Sequence, residues 1–101
     1  MSKDYQSIIR DIIHHITNQC MFSEISDFYV GTTDNPDDRL FTEHNVNKKL
    51  GCWTYYEALN EQHAREAEKL LISQGMTGNP GETDDSCTTV YCYKITSETD
   101  E

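Results

Sequence analysis

The sequence predicts an α+β fold, a small three-stranded mixed or antiparallel sheet flanked by helices. Two long segments, 5–16 and 61–74, carry apolar residues at helical spacing. Three short segments, near 28–33, 52–59 and 87–95, are rich in β-branched and aromatic residues. Clusters of Gly, Pro, Asn and Asp separate these stretches, and 101 residues is the size of one domain with a modest core. The expected order is helix, strand, helix, strand, helix, strand, which gives one sheet covered by helices.

In "DYQSIIRDIIHHIT", Tyr5, Ile8, Ile9, Ile12, Ile13 and Ile16 form one apolar stripe, so an amphipathic helix is expected within residues 1–22. Its β-branched isoleucines lower helix propensity, so packing must hold it. His14 and His15 form a boundary pair, and the local sequence supplies no further metal ligands beside them.

"DFYVGTT" reads as a strand beginning near Phe28, with Gly31 marking a close backbone approach or a bulge. "DNPDD" then starts a helix: Asn35 caps it, Pro36 suits its first turn, and Asp37 and Asp38 favour its positive end. Leu40 and Phe41 supply its apolar side, and "NVNKKLG" closes the unit with a turn at Gly51.

"CWTYYEAL" is the second strand. Asn60 caps the helix "EQHAREAEKLLISQ", whose expected buried stripe is Ala64, Ala67, Leu70 and Leu71. Gly75 suits its C-terminal cap, with Met76 covering the end. "TGNPGETDDS" is a loop by composition, "CTTVYCYKI" is the last strand, and "TSETDE" is a frayed tail.

The formal charge is −10, and residues 76–101 hold six acids against Lys94. Such a surface repels nucleic acid unless a metal or a local reversal of charge intervenes. Eight Lys and Arg argue against a large phosphate-binding face. Nothing approaches the roughly 18 unbroken apolar residues of a membrane span. "MSKDYQS" and the charge-interrupted "IIRDII" argue against a secretory signal, so a cytoplasmic location is expected. The four cysteines, Cys20, Cys52, Cys87 and Cys92, are then expected as free thiols, and the five-residue step from Cys87 to Cys92 is not a common zinc pair.

Three features place chemistry on this frame: Tyr29 in "YVG", Arg39 in "NPDDRLFTEH", and Glu68 in "AREAEKLL". Together they resemble the GIY-YIG nuclease domain over residues 27–81, including the "GNPG" that follows the glutamate helix. The resemblance implies a metal-dependent phosphodiester hydrolase in which Glu68 holds magnesium or manganese, Arg39 steadies the scissile phosphate, and Tyr29 and His44 assist attack by water. The family's first motif is missing upstream, where the chain reads "TNQCMFSEIS". "TTVYCYKI" looks like that strand with Thr89 in place of glycine, which makes the domain circularly permuted and puts Tyr91 at the first tyrosine position. Residues 87–95 are then expected to complete the sheet beside residues 28–32.

More ordinary roles stay open for each residue. Arg39 has Asp37 or Glu43 within reach, Glu68 has Arg65 or Lys69, His44 suits a helix end, His63 suits a local hydrogen bond, and Tyr91 and Tyr93 suit packing on a sheet. The alternative function is therefore a catalytically inactive acidic protein: an adaptor or inhibitor, of the kind found among phage or viral accessory proteins. Nucleic acid is the expected partner of an active enzyme. A basic protein or a small phosphate-containing ligand suits the inactive one. No membrane partner is expected, and homo-oligomerisation stays open.

Overall fold

The computed structural model describes residues 3–20, 23–46, 52–78, 87–96 and 99. Helix α1 spans Tyr5–Gln19, strand β1 Phe28–Thr33, strand β2 Trp53–Glu57, helix α2 Glu61–Ser73 and strand β3 Thr89–Lys94. The fold is α+β, and the sheet is antiparallel in the order β1-β3-β2. The C-terminal strand is thus central. Its register sets Tyr93 opposite Tyr29 and Tyr91 opposite Gly31, so residues 89–94 form the expected ladder with residues 28–33.

Local signals define the helix ends. Asp4 accepts from the Ser7 N–H at 2.8 Å and caps α1, a cap the apolar pattern did not single out. Asn60 caps α2 by accepting from the His63 N–H at 3.0 Å. Gly75 follows α2 with φ +122°, and the Met76 N–H returns to the Leu71 carbonyl at 3.2 Å. Asn35 accepts from the Asp38 N–H at 3.2 Å. Beyond it, residues Asp38–Glu43 wind as a π-helix. The wider turn takes the His44 N–H back to the Arg39 carbonyl at 2.9 Å.

Period-2 alternation divides the core into two layers. Phe28, Val30, Val90 and Cys92 face α1 and α2, where Ile8, Ile12, Ala64, Ala67 and Leu71 are buried with them. Tyr29, Tyr91 and Tyr93 point the other way and pack with Leu40, Val46, Phe41 and Trp53. Every residue of β1 is buried because both of its faces are covered. On α2 the expected stripe needs one correction: Glu68 is buried at 3% exposure, while Leu70 is only half-buried.

Both sheet edges are partly occupied. Thr77 bridges β1, with the Val30 N–H donating to the Thr77 carbonyl at 2.9 Å. At the β2 edge the Lys3 N–H donates to the Glu57 carbonyl at 2.9 Å. These short bridges limit pairing with another chain. His63 joins the two helices by accepting from the Tyr5 N–H at 3.1 Å. Gly51, residues 79–81 of "GNPG" and most of the acidic tail lie outside the described residues. No described helix is long and apolar enough to cross a membrane.

Candidate functional site

The site is built around the Tyr91 hydroxyl. Tyr91 lies on the central strand, and its ring crosses Gly31 of β1: a Cβ on Gly31 would fall 2.5 Å from Tyr91 Oη. The absence of a side chain at Gly31 lets a large phenol lie flat across the edge strand, which is the close approach expected of that glycine. Two residues on, Tyr93 occupies the same face of β3. Tyr29 stacks beside both, with ring centroids 5.3 Å from Tyr93 and 6.4 Å from Tyr91.

His44, at the end of the π-helix, closes the cluster. Its Nε2 lies 2.8 Å from Tyr91 Oη and its Nδ1 lies 3.0 Å from Tyr93 Oη. A neutral imidazole carries one donor and one acceptor, so the two tyrosines meet it in opposite roles. One phenol donates to the ring and the other accepts from it. The imidazole is 6% exposed and the Tyr91 side 1%, so water does not compete for these bonds.

Charged groups surround this buried network. Burial raises the Tyr91 phenol well above its ordinary value; Tyr29 adds to the rise, Arg39 opposes it, and Glu68 and Glu43 add to it again. Of the five positions expected from sequence, Tyr29, His44 and Tyr91 are in direct contact; Arg39 and Glu68 act on the Tyr91 phenol through their charge, and Glu68 stands on α2, which packs against the other face of the sheet. Arg39 donates from Nη1 to Glu43 Oε1 at 3.0 Å, one of the two ordinary pairings open to it in the sequence. Its guanidinium also borders a cleft of about 180 Å³ that includes Thr32, Glu43 and Cys87. Thr32 Oγ1, buried in the wall of that cleft, has no hydrogen-bond partner.

Magnesium and manganese take hard oxygen ligands, commonly one or two carboxylates completed by water and substrate phosphate. Glu68 fits that donor chemistry as a carboxylate buried on an otherwise apolar helix face with Ala64, Ala67 and Leu71. Tyr93, the second phenol on His44, was absent from the expected site. Its signal was available, since it shares the strand face of Tyr91 at a spacing of two.

A second cluster was not expected. Cys20 and Cys52 form a disulfide with Cα atoms 5.9 Å apart, which corrects the expectation that all four cysteines are thiols. The bond ties the residue following α1 to the residue preceding β2, 32 positions along the chain. His15 Nε2 lies 3.9 Å from Cys52 Sγ. Cys87 and Cys92 are buried outside any disulfide. Burial pushes the Cys92 thiol up to about 12, against a hydrogen bond with the Thr54 backbone.

Comparison with protein-family models, with curated proteins and with solved structures gives no match.

Proposed function

We propose that this chain is a small metal-dependent phosphodiester hydrolase that acts on nucleic acid. The observation that carries the reading is the contact of Tyr29 and His44 with Tyr91, whose phenol also feels the charges of Arg39 and Glu68. In this reading Glu68 holds magnesium or manganese, and the ion supplies neutralisation of phosphate charge and a lowered pKa for bound water.

The side chains divide the remaining work. With its proton on Nδ1, His44 donates to Tyr93 Oη, and its Nε2 accepts from the Tyr91 hydroxyl. Tyr91 then keeps oxygen lone pairs to orient a water or a substrate hydroxyl. Arg39 exchanges its bond to Glu43 for a bidentate grip on phosphate, which its planar fork suits and a lysine would not. Thr32 Oγ1 offers a further donor in the same cleft.

A second reading rests on a specific observation. Arg39 is already paired with Glu43, Tyr91 is closed from solvent, and the chain carries a charge of −10. These features suit a nuclease-like fold retained as an acidic binding protein or inhibitor with a basic partner, as in a viral accessory protein.

The two readings separate in a cleavage assay on labelled single- and double-stranded DNA and RNA with magnesium or manganese. Metal-dependent cleavage that falls sharply in Arg39→Lys supports the hydrolase. No cleavage above buffer, together with no uptake of either metal, transfers the assignment to the binding protein.

A further inference from the structure

On the opposite side of the sheet from the tyrosines, the end of α1 and the start of β2 bring one imidazole and two sulfurs together. His15 Nε2, Cys20 Sγ and Cys52 Sγ all lie within 4.8 Å of one another. This is the only group of three or more such ligands among the described residues. Cys20 is buried, and His15 and Cys52 are half-buried. The His15 ring is further held by a hydrogen bond with the Trp53 backbone. A second partner of that kind fixes the orientation of a ligating histidine.

We propose that the Cys20–Cys52 disulfide and a zinc site are two alternative states of the same three residues. In the reduced chain, His15, Cys20 and Cys52 hold one zinc ion and leave a fourth position for water. Two thiolates and an imidazole match the ligand preference of zinc, and three protein ligands with one open position form a recognised zinc arrangement. With zinc–sulfur distances of about 2.3 Å, tetrahedral geometry separates the two sulfurs by about 3.8 Å. The observed Cα separation of 5.9 Å accommodates that span through side-chain rotation.

The chemistry balances with a dithiol as reductant. The reductant supplies two electrons and two protons and closes its own disulfide. The Cys20–Cys52 bond breaks, and both cysteines become thiols. Zinc then displaces those two protons, and His15 binds as neutral imidazole. A small-molecule disulfide reverses the sequence: it takes two electrons from the two sulfurs and two protons from water to become a dithiol, the Cys20–Cys52 bond forms, and the ion is released. The same pair therefore couples the redox state of the surroundings to occupancy by metal.

Cobalt(II) reports the geometry, because tetrahedral thiolate ligation gives it intense visible bands and sulfur-to-metal charge transfer. The full chain is reduced with a phosphine, desalted without oxygen, titrated with cobalt and then with zinc. The expected result is one equivalent of tetrahedral cobalt, displaced by zinc, in the reduced chain and none in the oxidised chain. His15→Ala and His15→Gln should each weaken zinc more than roughly tenfold, a loss that even an outer partner of a ligand can produce. His14→Ala, at the adjacent exposed position, should bind as wild type. Absence of tetrahedral cobalt in the reduced, folded chain overturns the proposal. Equal binding by the oxidised chain, or unchanged affinity in both folded His15 variants, overturns it as well.

Discussion

The Tyr91 ring passes so close over Gly31 that no other residue fits at position 31 without displacing it: the nearest ring carbons would lie 2.7 and 2.9 Å from an added Cβ. The contact is between a β-strand backbone and a rigid phenol, so neither side yields cheaply. Gly31→Ala should destabilise the chain by about 1–3 kcal/mol, the usual cost of overpacking. It should also break the 2.8 Å contact between Tyr91 Oη and His44. Urea unfolding measures the first effect, and the tyrosine hydroxyl resonances in NMR measure the second. A variant as stable as wild type with the Tyr91 resonance unmoved would contradict the packing described.

His44 satisfies two buried phenols at once, so its removal orphans both. Each unpaired buried polar group costs about 1–3 kcal/mol. His44→Ala should therefore lose more stability than Tyr93→Phe, which leaves only one ring nitrogen without its partner. The order of the two midpoints in chemical denaturation checks this.

Stability should fall on the alkaline side. Tyr91 and Cys92 are both raised in the folded chain, from ordinary values of 10.0 and 9.0. A raised acid binds its proton more tightly when folded. Its contribution is thus complete below the ordinary value and is lost as pH rises through the folded one. For Cys92 that window runs from 9.0 to about 12, and for Tyr91 it opens at 10.0. Denaturation midpoints should decline from about pH 9 upward, with the decline reduced in Cys92→Ala. Native protein should also resist alkylation at Cys92.

The Cys20–Cys52 bond closes a loop of 32 positions. By loop entropy, such a bond contributes about 4 kcal/mol. Intact mass after alkylation in denaturant without reductant should show two unmodified cysteines, and Cys20→Ser should lower the unfolding midpoint markedly. Four alkylated cysteines in denaturant without reductant would count against the bond.

How far the sequence reveals all this depends on how local each determinant is. The Asn35 and Asn60 caps and the turn at Gly75 involve residues a few positions apart, and they stand where the pattern of polar and apolar residues puts them. The pairing of residues 89–94 with 28–33 stands as expected for "TTVYCYKI". The Cys20–Cys52 bond was not legible, because it depends on where α1 ends relative to β2, and chain spacing says nothing of that. His15 had no visible co-ligands for the same reason. Helix Asp38–Glu43 was legible as a helix but not as a π-turn, because cap and breaker residues mark where a helix begins and not how widely it winds. Hydrophobic periodicity favoured Leu70 for the core of α2, and burial of a carboxylate at Glu68 runs against that pattern. Departures of this kind concentrate at functional positions.

Under the proposed function, Glu68 serves as the metal-holding carboxylate of a phosphodiester hydrolase. Its most direct test is the rate of nucleic acid cleavage by Glu68→Gln beside wild type, in manganese, with circular dichroism establishing that the variant folds. Glutamine keeps the helix propensity and size of glutamate while removing the charge. The account predicts metal-dependent cleavage by wild type and loss of that cleavage in the folded variant; equal cleavage by the two proteins would contradict it.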